Sequence, residues 1–278
     1  MIDSKENKIG PIRSYILNDV KDPAYLPKAF YWLYKKHVED SISMFDAFCL
    51  KYCTYHALPV PAMGEDFGAY NWIMTEHHYV IDRSDFYGED GNVKPYAERF
   101  DDEFLEITNQ PVGKELRNTE WCGSRGGYHP VVNCFVPLYW EKDLKGKERT
   151  IDDGANTRWL CIFKYPEGVS REEGDRWFFS ELAPKLCDCG EVLRFLSTKC
   201  IPHPEKGPWN RVMELWFDDT YRWQDAMRKC METVRPPEWA QYDVFPYLEP
   251  YKDFTSIFLM DRPDSNHLQQ YKGYIVSR

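Results

Sequence analysis

The sequence predicts an α+β fold, and two observations lead to this prediction. Predicted strands and helices follow one another in the order β-α-β-β-α-β, and this order occurs in both halves of the 278-residue chain, although no exact sequence repeat is present. The order is that of the ferredoxin-like split unit. We therefore expect two ferredoxin-like βαββαβ units, residues 1–133 and 134–278, packed as an α+β sandwich or a dimeric-barrel-like architecture.

The first half alternates strand-like and helix-like segments. Its predicted elements are a strand at 11–19, a helix from about Tyr25 to Ile42, strands at 47–56 and 70–81, a helical stretch near 93–104 and a strand at 132–139. Residues 82–131 have weak periodicity and several turn-forming dipeptides. We expect a long loop there, with a lid at about 111–133.

The second half has clearer signals. Its predicted elements are strands at 157–165, 191–201, 209–217 and 254–260, with helices beginning near Ser170 and running from about Thr220 to Val234. Ser170 and Glu173 have the spacing of a capping box, which marks the start of a helix. Pro184 is expected to kink or end that helix.

Composition and charge exclude several classes of protein. With 43% hydrophobic and 29% charged residues, the chain resembles an ordinary globular protein. The net charge of −10 disfavours binding to nucleic acid, and no basic cluster suggests a membrane surface. No secretory signal is recognisable, so we expect a cytoplasmic protein whose nine cysteines are reduced thiols.

Two further features bear on the type of chemistry. Aromatic residues form 16% of the chain, which fits a large core or a pocket for planar ligands. The glycine motifs of nucleotide sites and the GxSxG motif of hydrolases are absent from the sequence. Cysteines occur in close pairs without the matching second pair of a zinc site, so we read them as structural thiols and expect no metal.

His37 is the most informative histidine. Leu26, Phe30, Leu33 and His37 follow one another at steps of four, three and four, which places them on one face of the first helix. His37 is then either a core residue with its polar atoms satisfied or a general acid–base catalyst that faces a pocket.

His77 and His78 are adjacent in a predicted strand. Successive side chains of a strand point to opposite faces, so only one of these histidines can line a given cavity. The alternation groups His78 with Trp72, Met74 and Glu76, and it groups His77 with Ile73, Thr75 and Tyr79. One core-facing and one exposed histidine is the simpler interpretation.

Several segments resemble one known family, the bacterial chalcone isomerases of flavonoid-degrading gut anaerobes. The resembling segments are WLYKKHVEDSIS at 32–43, TEHH at 75–78, YWEKDLKGKERTIDDGAN at 139–156, AQYDVFP at 240–246 and YKGYI at 271–275. They span nearly the whole chain in the same order as in that family.

The resemblance implies a fold, an activity and a set of site residues. It implies a ferredoxin-like α+β sandwich in a homo-oligomeric enzyme that needs no cofactor and interconverts chalcones and flavanones. His37 matches the catalytic histidine of the family. A glutamine that acts with it corresponds to Gln110, with Thr108 as the alternative.

The same resemblance gives candidate substrate contacts. They lie in or beside the matching segments and comprise Tyr34, Trp72, His78 and Tyr139. Tyrosine and tryptophan walls suit the two aryl rings of a chalcone, and an imidazole suits transfer of a proton to or from carbon.

Three other functions remain open from the sequence. A related cofactor-free isomerase or an ether-opening lyase would act on another aryl enone or flavonoid. A heme-binding or oxygen-using dimeric α+β barrel would show a Soret band. A non-catalytic flavonoid-binding protein would bind its ligand without turnover.

Overall fold

The computed structural model describes most of the chain. The described residues are 12–20, 22–44, 49–79, 118–119, 122–123, 132–138, 141–201 and 209–268. Within these ranges, no helix is both long and apolar enough to cross a membrane.

Thirteen strands are defined among the described residues. In chain order they are β1 (Ile12–Asn18), β2 (Cys49–His56), β3 (Ala69–Tyr70), β4 (Ile73–Tyr79), β5 (Asn118–Thr119), β6 (Cys122–Gly123), β7 (Val132–Pro137), β8 (Lys142–Lys145), β9 (Thr157–Phe163), β10 (Arg194–Lys199), β11 (Arg211–Phe217), β12 (Phe254–Met260) and β13 (Ser265–Asn266).

The described residues contain two interrupted helices and one regular helix. The first runs through α1 (Leu26–Trp32), a π-helical turn (Leu33–His37) and α2 (Val38–Met44). The second runs through α3 (Arg171–Trp177), a π-helical turn (Phe178–Leu182) and α4 (Ala183–Asp188). The third is α5 (Thr220–Thr233), and single 3-10 turns lie at Pro23–Tyr25, Gly64–Phe67 and Ile151–Asp153.

The two main sheets share one topology. The first has the order β13-β2-β4-β1-β7, and the second has the order β3-β12-β9-β11-β10-β8. The four long strands of the first half lie in the order β2-β4-β1-β7, and those of the second half lie in the order β10-β11-β9-β12. In both halves this is the order second, third, first, fourth along the chain, and all neighbouring strands are antiparallel. The predicted α+β fold of two ferredoxin-like units is therefore confirmed.

The repeat extends to equivalent residues. β1 and β9 each have seven residues with arginine second, Arg13 and Arg158. β4 and β11 each have seven residues with glutamate fourth, Glu76 and Glu214. α1 and α3 each have seven residues that end in tryptophan, and a five-residue π-helical turn follows each of them. Equivalent positions in the two halves can therefore be compared directly.

Three apolar layers hold the elements together. One layer lies between α1–α2 and the first sheet and includes Trp32, Leu33 and Ile73. A second lies between the two sheets, where Leu17 and Met74 belong to the same cluster as Leu160 and Ile257. A third lies between the second sheet and α3–α5. The order of layers is thus helix, sheet, sheet, helix.

A buried ionic network lies where the two sheets face each other. Arg13 Nε is 3.2 Å from Glu76 Oε1, and Arg158 Nη2 is 2.5 Å from Glu214 Oε2. The pairs also connect across the sheets, since Arg13 Nη1 is 3.5 Å from Glu214 Oε1 and Arg158 Nη1 is 3.6 Å from Glu76 Oε2. The network therefore has the same twofold pattern as the two halves.

The network extends to neighbouring polar groups. Tyr15 donates its hydroxyl to Glu214 at 2.6 Å, and the His78 ring nitrogen is 2.6 Å from Glu76. Burial acts to raise the pKa of Glu76, but Arg13, His78 and Arg158 together outweigh this effect and hold the pKa well below its usual range. Glu76 is consequently a carboxylate that is fixed by its partners.

The predicted elements can be compared with this structure. The strands expected at 11–19, 47–56, 70–81, 157–165, 191–201 and 209–217 are confirmed with shorter bounds, and the strand at 254–260 is confirmed with the same bounds. The helices expected after Tyr25 and near Thr220 are also confirmed, and the first continues to Met44. Ser170 caps α3 by accepting from the Glu173 amide at 3.2 Å. Pro184 lies near the start of α4 and does not end the helix. The π-helical turn comes directly before α4.

Other predictions concern segments at the border between the halves. β7 spans Val132–Pro137 and belongs to the first sheet, so this strand crosses the predicted boundary between 133 and 134. β3 joins the second sheet and β13 joins the first, so each half contributes an edge strand to the other. The helix predicted near 93–104 and most of the predicted lid at 111–133 lie outside the described residues.

The ionic network yields a prediction about stability. Replacing Arg158 by methionine keeps most of the volume but leaves Glu76 and Glu214 buried without one of their two cations. We expect Arg158→Met to lower the free energy of unfolding by about 3–5 kcal/mol, measured by urea denaturation.

An exposed ion pair provides the control for this variant. Arg228 pairs with Asp225 on the surface of α5, where both side chains are about half exposed. Arg228→Met should change the free energy of unfolding by less than about 1 kcal/mol. An Arg158→Met protein as stable as Arg228→Met would show that the network does not hold the sheets together.

Candidate active site

The candidate active site lies on the outer face of the first sheet, beneath the first helix. Its centre is formed by four residues, His37, Tyr52, His77 and His267, which we call the histidine cluster. The residues come from the π-helical turn, from β2, from β4 and from the segment after β13. The topology therefore brings together residues that are far apart in the sequence.

The π-helical turn determines where His37 lies. His37 is its last residue, and its ring stacks on Trp32, five residues earlier, with ring centroids 4.4 Å apart and planes within 15°. The backbone hydrogen bonds of a π-helical turn join residues that are five apart, and this is the spacing of Trp32 and His37. The ring of His37 is half-buried and also meets the ring of Tyr52 edge-on at 6.5 Å.

Tyr52 and His77 form the floor of the cluster. They are directly opposite each other on the antiparallel strands β2 and β4. Their rings lie 4.4 Å apart in an edge-on arrangement. Both side chains are almost completely buried, so they form a rigid surface under His37.

His267 closes the cluster on the β2 side. Its ring is 4.9 Å from the ring of Tyr52, and its Nε2 lies 2.8 Å from Thr54 Oγ1. Its backbone amide donates to the Tyr52 carbonyl at 2.8 Å. These contacts fix the chain after β13 against β2.

Burial keeps Tyr52 and His77, the floor of the cluster, uncharged at neutral pH. Desolvation, and secondly the nearby imidazole of His37, lower the pKa of His77 to about 3. Desolvation also lowers the pKa of His267 and raises the pKa of Tyr52. At neutral pH the floor therefore presents an uncharged imidazole and an un-ionised phenol, which suit a neutral aromatic ligand.

Tyr34 and Trp72, two of the predicted substrate contacts, lie near this cluster. Tyr34 is in the same π-helical turn as His37, and its ring is 6.0 Å from His267. Phe30 stacks with Tyr34 at 6.2 Å and meets Trp72 edge-on at 6.2 Å. Trp72 itself is buried, so Phe30 lies between it and Tyr34.

Of the other predicted site residues, the structure describes only His78. His78 is on the opposite face of β4 and joins the ionic network through Glu76, so the sheet separates it from His37. Gln110, Thr108 and Tyr139 lie outside the described residues. Their proposed roles therefore stay predictions.

Sequence reasoning missed Tyr52 and His267. The alternation of β2 carried a signal for Tyr52, because Tyr52, Thr54 and His56 are polar or aromatic residues at every second position. Nothing in the local pattern around His267 marks it as a site residue. Its position follows from the pairing of β13 with β2, which joins distant parts of the chain.

The described residues offer no obvious metal site. No group of three or more His, Cys, Asp or Glu among them could hold a metal ion. The cluster can donate and accept protons and can stack against planar groups.

Comparison with known proteins gives one family match. Residues 9–113 match the family described as chalcone isomerase N-terminal domain. This segment carries His37, Tyr52 and His77, and it covers less than half of the chain. No curated protein matches the chain.

Several solved structures are similar at low sequence identity. An anthrone oxidase-like protein is 11% identical, with a TM-score of 0.46 and coverage of 91% of this chain and 92% of that one. Chlorite dismutase from Candidatus Nitrospira defluvii in complex with imidazole is 8% identical, with a TM-score of 0.44 and coverage of 91% and 92%. A putative monooxygenase from Lactobacillus acidophilus NCFM is 10% identical, with a TM-score of 0.33 and coverage of 92% and 98%.

These comparisons support different statements. Because all three TM-scores are below 0.5, the fold rests on the strand order of the two sheets. The family match supports, for residues 9–113, the resemblance to chalcone isomerases that the sequence motifs suggested.

Proposed function

We propose that the histidine cluster is the active site of a cofactor-free isomerase that interconverts chalcones and flavanones. The observation that carries this proposal is the contrast between the two halves of the chain. The first half has polar, ionisable residues at positions where the second half has apolar ones.

The contrast is clear at three equivalent positions. His37, the last residue of the first π-helical turn, corresponds to Leu182 in the second turn. The cross-strand pair Tyr52–His77 corresponds to the pair Phe195–Leu215, both members of which are buried in the apolar core.

The fold itself does not need the polar residues. The same helix-on-sheet packing is achieved in the second half with leucine and phenylalanine. Burial of a histidine with a pKa of about 3 is unfavourable compared with burial of a leucine. Residues that oppose stability, at positions where the equivalent half of the fold has apolar residues, are typical of functional sites.

The proposed reaction needs one positioned group that exchanges a proton with carbon. In ring closure, the phenolate oxygen of a chalcone forms a bond to the β-carbon of the enone, and the α-carbon of the resulting enolate takes up a proton. His37 as imidazolium would donate this proton and become neutral. In ring opening, neutral His37 would remove the same proton, and the bond to the phenoxide oxygen would break.

The surroundings of His37 suit the two aryl rings of such a substrate. The stack of Trp32 on His37 and the ring of Tyr34 offer flat surfaces that hold an aromatic ligand in one conformation. Gln110 or Thr108 would donate a hydrogen bond to the enolate oxygen. Tyr139 would contribute to the walls and Trp72 would support them from behind Phe30, whereas His78 lies on the other side of the sheet.

The wider context of the enzyme is part of the proposal. We expect a small-molecule substrate, a homo-oligomeric assembly in the cytoplasm, and no requirement for a cofactor or metal. Turnover of naringenin and its chalcone by metal-free protein under anaerobic conditions tests the reaction. Turnover of another flavonoid alone would favour the related isomerase or lyase, and binding without turnover would favour a flavonoid-binding protein.

His37→Ala tests the central role. We expect the enzymatic rate to fall by about 10²–10⁴ in both directions, because general acid–base transfer at carbon is lost. The rate is measured from chalcone absorbance after subtraction of the spontaneous cyclisation, which increases with phenolate concentration.

Leu182→Ala is the matched control in the second half. It removes a side chain at the equivalent position, so it should lower the melting temperature through loss of packing. Its turnover, measured well below that temperature, should remain near the wild-type value. If His37→Ala behaves like Leu182→Ala, His37 is a packing residue and the proposal fails.

His77→Leu tests the unfavourable burial of a histidine. In the unfolded chain this imidazole has an ordinary pKa of 6.5, whereas in the fold it is protonated only below about pH 3. The unfolded state therefore binds more protons between these values, so stability falls as the pH falls. Between pH 8 and pH 5 this histidine alone should remove about 2 kcal/mol from the free energy of unfolding.

His77→Leu should abolish that part of the pH dependence, since leucine occupies the equivalent position in the second half. Urea denaturation of both proteins at pH 8 and pH 5 measures the difference. An unchanged loss of stability on acidification would mean that His77 is not buried as a neutral imidazole.

A further inference from the structure

Three residues beside the histidine cluster form a chain of contacts of the Asp–His–Tyr type. Tyr34 Oη lies 3.1 Å from Nε2 of His56, and Nδ1 of His56 lies 3.1 Å from Oδ2 of Asp264. The three side chains come from the π-helical turn, from the end of β2 and from the loop before β13.

The charge of Asp264 favours one direction for the hydrogen bond between Tyr34 and His56. The Asp264 carboxylate lies 3.1 Å from Nδ1 of His56 and favours the neutral tautomer whose hydrogen is on Nδ1. Nε2 is then an acceptor, and the Tyr34 hydroxyl donates to it. This is the arrangement in which a histidine can withdraw a proton through a tyrosine.

Asp264 is held in place by the backbone. Its Oδ2 also accepts from the backbone amide of His56 at 2.6 Å, and its own amide donates to the Thr54 carbonyl at 3.0 Å. These bonds fix the carboxylate at the end of β2. Asp264 therefore orients the imidazole without needing a contact of its own with a ligand.

The relay borders the proposed substrate site at one end and water at the other. Tyr34 is next to His267 and lies in the same π-helical turn as His37. Burial, and secondly Asp264, raise the pKa of Tyr34, so its hydroxyl keeps its proton at neutral pH. The side chains of His56 and Asp264 are 34% and 42% exposed, so His56 can exchange protons with solvent.

The described residues of the second half show no equivalent relay. Phe179 occupies the position of Tyr34 in the second π-helical turn, and Lys199 occupies the position of His56 at the end of its strand. Like the histidine cluster, the relay is therefore an addition to a fold that forms without it.

We propose that Asp264, His56 and Tyr34 are a proton relay that removes the proton from the phenolic hydroxyl of the substrate during ring closure and returns it during ring opening. This proposal rests on the proposed function. Tyr34 is the residue that contacts the substrate, and His56 and Asp264 are positioning residues.

A second group of this kind lets the two proton transfers occur on separate residues. Ring closure removes a proton from oxygen and delivers one to carbon, and a His37 that is already imidazolium when the substrate binds can deliver the second but cannot accept the first. The substrate proton passes to Tyr34 Oη while the proton of Tyr34 passes to Nε2 of His56. The imidazolium of His56 then faces the Asp264 carboxylate and loses its proton to water, and His37 takes up a proton from water.

Substrates with hydroxyl groups of different acidity test the relay. For 2′-hydroxychalcone at pH 7, whose hydroxyl is protonated, Tyr34→Phe should lower kcat about 100-fold and Asp264→Asn about tenfold. An asparagine amide can donate to Nδ1 of His56, which then carries its hydrogen on Nε2 and cannot accept from Tyr34. For a nitro-substituted 2′-hydroxychalcone that is already a phenolate at pH 7, both losses should shrink to less than about threefold.

Two further variants make the result specific. Tyr31 lies on the same helix but is 61% exposed, so Tyr31→Phe should leave kcat unchanged for both substrates. His37→Ala should lose activity with both, because both need a proton at carbon. An equal loss for Tyr34→Phe with both substrates would show a purely structural role and overturn the relay.

The two proposals can fail separately. Wild-type protein that turns over neither chalcone would refute the isomerase and the relay with it. Wild-type activity together with normal kcat in Tyr34→Phe would refute only the relay.

Discussion

The arrangement of the whole chain depends on four charges buried between the two sheets. Arg13 and Arg158 each lie near both Glu76 and Glu214, so each half supplies one cation and one anion to a shared network. Removing one member leaves an unbalanced charge in a dry layer, which is far less favourable than the complete network. The network therefore favours the placement of the two sheets in which all four charges are paired, and it occupies the inner faces of both halves.

In the described part of the chain, the two halves differ in chemistry on the outer faces, where each helix covers its sheet. There the second half is apolar, with Leu182, Phe195 and Leu215 in one cluster. The first half carries the histidine cluster and the neighbouring proposed relay at the corresponding place. His77 and His78 show how sharp this division is, because one joins the proposed active site and the other joins the ionic network, on opposite faces of one strand.

The sequence predicted the order of elements well because each element carries its own local signal. Alternation gave the long strands, Ser170 gave the start of a helix, and the apolar spacing after Thr220 gave α5. The opposite orientation of His77 and His78 also followed from alternation. The partners of these residues did not follow, because the register between β2 and β4 and the return of His267 to β2 are set by tertiary packing. The sequence did not predict the buried ionic network, because Arg13 and Arg158 each resemble an ordinary charged residue of a strand.

The π-helical turn explains both what was predicted about His37 and what was missed. An α-helical period correctly places Phe30, Leu33 and His37 towards the sheet, but it does not bring residues five apart together. The i→i+5 turn does, and it stacks His37 on Trp32. A π-helical turn of the same length follows Trp177 in the second half, and its five residues include no histidine. The π-helical turn is therefore a feature of the fold and does not depend on the site. His37, the proposed catalytic residue, therefore occupies a widened turn that the fold already provides, and the same turn carries Tyr34 to the other border of the cluster. One local distortion of a helix thus places the two proposed proton-transfer groups at separate positions, which suits a reaction that exchanges protons at both oxygen and carbon.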